Sequence, residues 1–268
     1  MVGHVTRDEV DGGVRLGGAA SYAALAASRL GYETGLVTAA PSDDPLLEPL
    51  WRAPRLHVHC VASDVMTTFA LEYSGTHRHL WLRRRARALE IGDIPAAWMT
   101  PSVAVAYVGP VAGECDGAFV RALRARFVGA GLQGWLRRTG ADGRIEPARL
   151  ADTPDVQAPP RLDVVIVSEQ DHPDVEGFAA RLVAGGATAA ITRGARGATL
   201  LSAAESVRVP AAPAREVDPT GAGDVFGVVL TLELARGATL TAAGRAAAAA
   251  AARVVEGPGL GTLSGPDR

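Results

Sequence analysis

Short apolar runs alternate along the chain with amphipathic stretches, the pattern of a layered α/β domain. Ala19 to Leu30 predicts a helix that Gly31 ends at its C′ position. Glu33 to Ala39 predicts a strand, Asp43 to Leu50 a short helical segment after Pro41, and His57 to Val61 a brief strand. Phe69, Leu71 and Tyr73 then alternate with polar or small residues, Ser74-Gly75-Thr76 signals a turn, and Leu80 and Leu82 alternate again. That is a β-hairpin over Met66 to Arg83 with one apolar face, and it interrupts the βα rhythm as a small lid would.

Val103 to Val108, between Pro101 and Gly109-Pro110, predicts a strand buried on both faces. Asp116 to Phe127 predicts a helix and Gly129 to Trp135 a strand. Thr139 to Pro160 is rich in Gly, Pro and Asp and predicts a connection with little regular structure. Leu162 to Val167 predicts a buried strand, Val175 to Ala184 a helix, and Thr188 to Thr192, Ala198 to Leu201 and Ser206 to Val209 three strands. Gly221 to Arg236 and Leu240 to Val255 are the last helices. No repeat with a period of about 20 to 50 residues is visible, and no linker divides the 268 residues, so a single domain is expected.

Hydrophobic residues make up 48% of the chain, ample for a packed core. The charge count is 27 basic against 29 acidic, and every basic residue is arginine: lysine is absent, and so is asparagine. A GC-rich coding bias explains this composition, but the exclusions hold regardless. No Walker A loop can form, nor the strand lysine and catalytic-loop asparagine of a protein kinase. A lysine Schiff base is likewise excluded. The balanced charge argues against a nucleic-acid partner. Arg83, Arg84, Arg85 and Arg87 read as a solvated strand end, or as a run from which one guanidinium meets a substrate phosphate or acid.

Cys60 and Cys115 make no disulfide scaffold. Thr241 to Ala252, about 12 residues with Arg245 among them, is too short and too charged to span a bilayer. With no signal peptide at the start, a cytoplasmic protein without membrane contact is expected.

The most informative segment is Asp218-Pro219-Thr220-Gly221-Ala222-Gly223-Asp224-Val225-Phe226, three small residues and a carboxylate where an apolar helix starts. A helix N-terminus presents unpaired N–H groups and the positive end of the dipole. Gly221, Ala222 and Gly223 let a phosphate approach the backbone, and Asp224 beside it can take a proton from an attacking hydroxyl. An ordinary capped helix would use the same residues.

Asp218 to Asp224 resembles the D-T-x-G-A-G-D signature of the ribokinase-like (PfkB) family of small-molecule kinases. Gly3-His4-Val5-Thr6-Arg7-Asp8 is similar to the family's opening glycine and substrate aspartate. Leu16-Gly17-Gly18-Ala19-Ala20-Ser21-Tyr22-Ala23-Ala24 resembles its di-glycine segment, and Ile191-Thr192-Arg193-Gly194 with Ala195-Arg196-Gly197-Ala198 its nucleotide-side strand and turn. The resemblance implies a three-layer α/β/α fold with a mainly parallel sheet and a small β lid built from residues 10–16 and 62–90. It implies an ATP-dependent kinase acting on a hydroxyl of a small carbohydrate or polyol. Asp224 would be the base, and the amides of Gly221, Ala222 and Gly223 the anion hole. Asp8, Gly17, Gly18, Tyr22 and Gln133 would face the acceptor. Ser168, Thr192, Gly194, Gly197 and Gly257 would face the nucleotide. Asp171 is implied near Mg²⁺, and Asp218 near a monovalent cation such as K⁺. A homodimer through the lid is a further implication.

The chain departs from the family pattern in places. Ser168-Glu169-Gln170-Asp171 replaces the family's N-x-x-E, and altered Mg²⁺ handling is expected. Tyr22 stands where asparagine is common, and the surrounding string is more similar to inositol-kinase-like members. Pro219 takes the place of a common threonine and removes one amide donor. The chain begins almost at the opening glycine, so the first strand is expected to be short or its start truncated. His57/His59 and His77/His79 pair imidazoles on strand faces but lack a third metal ligand, so exposed strand histidines are the expectation. Trp135 and Arg137, after a strand end, read equally as a sugar platform with an acid-binding arginine or as a packed Trp with a surface Arg. A nucleoside kinase of the same fold and a non-catalytic binding protein are the alternative readings.

Overall fold

The computed structural model describes residues 1–10, 12–74, 77–99, 103–148, 153 and 161–264. The first half runs β1 (Thr6–Val10), β2 (Gly13–Gly17), α1 (Ala19–Arg29), β3 (Thr34–Ala40), α2 (Glu48–Trp51) and β4 (Leu56–Ala62). Next come β5 (Thr67–Ser74), β6 (His77–Arg84), β7 (Val105–Val108), α3 (Gly117–Ala122), β8 (Phe127–Gly131), β9 (Arg137–Thr139) and β10 (Ile145–Pro147). The last part holds β11 (Val164–Ser168), α4 (Val175–Ala184), β12 (Thr188–Thr192), β13 (Ala198–Leu201), β14 (Ser206–Val209), α5 (Ala222–Ala235), α6 (Leu240–Val254) and α7 (Gly261–Ser264).

One sheet runs β14-β13-β12-β11-β8-β7, and β3 pairs with β4. Val2 joins these two parts, bridging Val37 on one side and Val108 on the other, both parallel. The expected short first strand is therefore a single bridged residue. Its amide donates to the Tyr107 carbonyl at 2.9 Å, and its carbonyl accepts from Gly109 at 2.9 Å. The neighbours β7, β8, β11 and β12 are parallel, while β13 and β14 return antiparallel at one edge.

Both faces of this sheet are covered. Val164 and Ile166 of β11 belong to the apolar cluster of α1, α5 and α6, while Val165 and Val167 belong to that of α3 and α4. Successive strand residues point to opposite faces, so a near-continuous apolar run is what a doubly covered strand requires. This is the expected three-layer α/β/α fold.

The small sheet is ordered β2-β1-β5-β6, with β1 and β5 parallel and the other pairs antiparallel. The predicted hairpin is β5-β6, and Phe69, Leu71 and Leu80 bury its apolar face against Ala19 and Val111. The sheet takes in Thr6 to Glu9 and Gly17 as well, beyond the 10–16 expected, because β1 pairs along its length with β2.

Three expectations need correction. The helix from Asp116 ends at Ala122, because Leu123 turns extended (ψ 137) and Phe127 pairs with Val105. The strand expected over Gly129 to Trp135 lies two residues earlier and gives way to a turn, in which Trp135 N donates to the Leu132 carbonyl at 3.0 Å. Gly129, Ala130 and Gly131 carry weak strand preference, so pairing with β7 and β11 set the register. The stretch after Thr139, expected to lack regular structure, carries β10, paired with β9 through a turn at Gly140–Gly143. This hairpin docks on the lid, where Leu82 N donates to the Gly143 carbonyl at 2.8 Å. Residues 149–152 and 154–160 lie outside the described ones.

His4 fastens the lid to the core. Its Nε2 bonds the Arg87 carbonyl at 2.8 Å, and its Nδ1 lies 2.7 Å from the Thr67 hydroxyl. A carbonyl only accepts, so Nε2 carries the proton and Nδ1 accepts from Thr67. Thr67 opens β5, and Arg87 follows β6, so one neutral imidazole ties both crossings between lid and core. Burial depresses the His4 pKa against the opposing pull of Glu114.

Candidate active site

A cleft of about 960 Å³ runs between the lid and the ends of the central strands. It is lined by Asp8, Gly18, Tyr22, Gln133, Ser168, Thr192, Gly194, Gly197 and all of Gly221 to Asp224. These residues come from six separate stretches of chain, brought together because the strand ends of an open α/β sheet border one crevice.

Asp8 enters from the lid strand β1 and is only 5% exposed, with the Thr6 hydroxyl donating to its Oδ1 at 2.7 Å. Gly17 leaves room for it: a Cβ there would overlap the Asp8 carboxylate and Thr6 Oγ1. Gly17 thus supports Asp8 and does not itself line the cleft. Gly18 caps α1 at φ 94, where a side chain would meet the His4 carbonyl.

Gly221 sits at φ 82 as the N-cap of α5, and Asp224 lies in that helix's first turn. A left-handed cap is accessible to glycine at little cost. Tyr22 packs against Gly221 from below. Its ring is 1% exposed, its hydroxyl is buried without a hydrogen-bond partner, and burial pushes its pKa up. The hydroxyl of Tyr107, on β7, is likewise buried and unpartnered; it sits against Gly227 of α5 and feels the charge of Asp224. The Ala222 amide lies 3.3 Å from the Pro219 carbonyl. It is the one expected anion-hole donor with a backbone acceptor in its own turn.

At the other end, Thr192, Gly194 and Gly197 frame a turn in which Arg193 and Arg196 both pair with Glu169. Glu169 is held below its usual carboxylate range, first by the hydrogen bond from Arg196. Ala211, Ala212, Pro213, Ala214, Ala248, Ala251, Ala252 and Val255 line this end of the cleft. These residues make the lining at this end small and apolar.

Asp171 departs from its expected place. Its Oδ2 accepts from Ser168 N at 2.8 Å, it is hydrogen-bonded to the Gln133 side chain, and it does not line the cleft. Burial pushes its pKa up, against hydrogen bonds from Ser168 and Gln133 and the charge of Arg137. Among the described residues no group of three or more His, Cys, Asp or Glu side chains is placed to hold a metal ion. The Asp218 carboxylate is paired with Arg15, its Oδ2 lying 2.6 Å from Nη1. Gly257 packs on Thr262 away from the cleft.

Trp135 is a core residue, 7% exposed, whose Nε1 donates to the Cys115 carbonyl at 2.6 Å, so it is no sugar platform; Arg137 does line the cleft. His57 lies exposed beside Glu33 at 3.3 Å. The side chain of His77 lies outside the described residues. Sequence reading missed Arg15, Tyr107 and the alanine lining at the far end of the cleft. Arginine on a short strand and alanine in a helix carry no local signal of a site.

Residues 5–267 match the pfkB family carbohydrate kinase profile. Inositol 3-kinase of Zea mays is 30% identical over 177 residues, 63% of this chain; the match spans 45% of that relative's length. A pyrophosphate-dependent kinase in the ribokinase family, solved with a pyrophosphate analog and myo-inositol, superposes with a TM-score of 0.83 at 20% identity. The overlap covers 96% of this chain and 95% of that one. Ribokinase from Thermotoga maritima gives 0.73 at 17% identity, over 99% and 95% of the two chains. At such identities these two carry the fold alone, whereas the profile runs from the lid strand through Asp224 to the last helix: the chain belongs to the pfkB family of carbohydrate kinases.

Proposed function

We propose that this chain transfers the terminal phosphoryl group of ATP to a hydroxyl of a small carbohydrate or polyol, with an inositol as the best-matched acceptor. The carrying observation is that Asp224, the Gly221–Gly223 turn, Asp8 and Gly18 all border one cleft. Asp8, buried and hydrogen-bonded by Thr6, accepts from acceptor hydroxyls and fixes the ring. Asp224 takes the proton of the attacking hydroxyl as its oxygen bonds to the γ-phosphorus. The bond from that phosphorus to the bridging oxygen breaks, and ADP leaves with the electron pair. The N-terminal amides of α5 stabilise the charge on the transferred group, aided by the helix dipole. A Mg²⁺ carried in with the donor would supply neutralisation of phosphate charge. Closure of the lid excludes water.

The inositol reading draws on the 30% identity to inositol 3-kinase. A second reading replaces ATP with pyrophosphate. It is motivated by the pyrophosphate-dependent relatives and by Arg193 and Arg196 at the donor end. The small apolar lining at this end favours ATP, since inorganic pyrophosphate has no apolar part to bury against it.

The test is phosphoryl transfer from ATP and from pyrophosphate to a panel of inositols, sugars and nucleosides. Transfer from ATP to an inositol, lost in Asp224→Asn, is expected. Transfer from pyrophosphate alone overturns the donor assignment, and full activity in Asp224→Asn overturns the base.

A further inference from the structure

Asp218 lies at a three-way junction, 8% exposed. Its Oδ1 accepts from the Thr220 amide at 2.9 Å, and the Thr220 side chain adds a second hydrogen bond. Its Oδ2 accepts from the Gly259 amide at 3.0 Å and from Arg15 Nη1 at 2.6 Å. A carboxylate offers about four acceptor positions, so these donors saturate it. They come from the loop that leads into α5, from the loop after α6, and from lid strand β2. Burial opposes the charge on Asp218, but the Thr220 and Gly259 hydrogen bonds and the Arg15 charge outweigh it.

The surroundings suit a guanidinium and not a free ion. Arg15 Nε is buried without a partner, and so is the Tyr22 hydroxyl. Both side chains border Gly259: a Cβ there would lie 3.5 Å from Arg15 Cδ and 3.9 Å from Tyr22 Oη. A guanidinium already beside the carboxylate disfavours a second, free cation at the same oxygens. Thr220 directly precedes Gly221, so whatever fixes Asp218 fixes the start of the anion-binding turn.

We propose that Arg15 is a positioning residue, a tethered cation that orders the Asp218–Gly223 loop and makes the protein independent of any free monovalent cation. The inference rests on the kinase reading only in its activity arm. The residue acts through Asp218, and it joins the lid strand that opposes Asp8 to the loop that carries Asp224.

The experiment compares the wild type with Arg15→Ala and with Arg15→Met, which keeps most of the apolar stem. Each is assayed in KCl, in choline chloride, and in choline chloride with about 20 mM guanidinium chloride, at matched ionic strength. The wild type should change by less than about two-fold between KCl and choline, as expected when no free cation binds. Both variants should lose at least about ten-fold in kcat with a smaller change in KM, because they leave a buried carboxylate uncompensated. Guanidinium should restore part of that loss in Arg15→Ala. In melting experiments without substrate, guanidinium should raise the Tm of Arg15→Ala relative to choline and leave the wild type unmoved. A wild type activated about ten-fold or more by K⁺ overturns the proposal, as does a variant with wild-type kcat or an Arg15→Ala Tm indifferent to guanidinium. If the wild type turns over no acceptor, the kinase reading fails and the melting arm still decides the role of Arg15.

Discussion

Gly221 and Gly223 stand two residues apart in one signature, yet substituting each with alanine should have opposite consequences. Gly221 holds φ 82, and a Cβ built there falls 2.1 Å from the Tyr22 ring. The left-handed conformation costs alanine about 1–2 kcal/mol. Tyr22 is 1% exposed and cannot swing away, so overpacking adds about 1–3 kcal/mol. The total of about 2–5 kcal/mol is a large share of an ordinary stability, and in a chain of this size it lowers the Tm by about 5–15 °C. Gly223 lies inside α5 at ordinary helical φ, and a Cβ there meets nothing within 4 Å. Gly223→Ala should hold or raise stability, by up to about 1 kcal/mol from helix propensity.

That open space belongs to the cleft. On the proposed mechanism a methyl group there would stand in the way of the phosphoryl group, so kcat/KM should fall at least about ten-fold in Gly223→Ala with the fold intact. Thermal melts and steady-state kinetics on both variants make the test. Within Gly221→Ala, a double-mutant cycle with Tyr22→Ala should give a coupling of about 1–3 kcal/mol from the relieved overlap. A Gly221→Ala protein with the wild-type Tm would refute the Tyr22 packing argument. A Gly223→Ala protein with unchanged kcat/KM would refute the placement of the phosphoryl group on this turn.

Asp224→Asn should keep the wild-type Tm within a degree or two and lose about 10²–10⁴-fold in kcat, read by steady-state kinetics; a smaller loss removes Asp224 as base. Tyr107→Phe deletes a buried hydroxyl without a partner, so urea unfolding should show stability unchanged or raised by up to about 1 kcal/mol; a clear loss would mean that the hydroxyl is hydrogen-bonded. His4 is buried neutral with its pKa depressed, so the unfolded chain binds a proton that the folded one refuses, and stability rises with pH through that window. Stability should therefore fall as pH drops below about 6.5, the unfolded value, and level off beneath the folded pKa. His4→Gln should flatten that slope in urea melts between pH 5 and 8, and an unchanged slope would assign it to another group.

Much of the fold was legible because its signals are local. The α1, α4, α5 and α6 helices and the β11 to β14 strands follow from periodicity within each segment, to within a residue or two. The β8 register and the β9-β10 hairpin did not follow. Gly-rich and Pro-rich segments accept several conformations, and pairing with strands far away in the chain selects one. The site divides in the same way. Asp8, Gly18, Gln133 and Asp224 were legible from short local stretches, and all four border the cleft. For Asp171 the motif gives a residue's type and not its direction, and here the carboxylate turns to Ser168 and Gln133.

By itself the sequence determined which chemistry is excluded. With no lysine and no asparagine, phosphate binding falls to arginines and backbone amides. It also determined the order of the layers and the turn that presents those amides. Only the tertiary structure decided which charges meet. Arg15 and Asp218 are 203 residues apart, and their pairing depends on β2 joining the lid, α6 closing its loop over Gly259, and Tyr22 filling the space beneath Gly221. Helix and strand periods are set by neighbours a few residues away, whereas a buried ion pair is set by every element that must close around it.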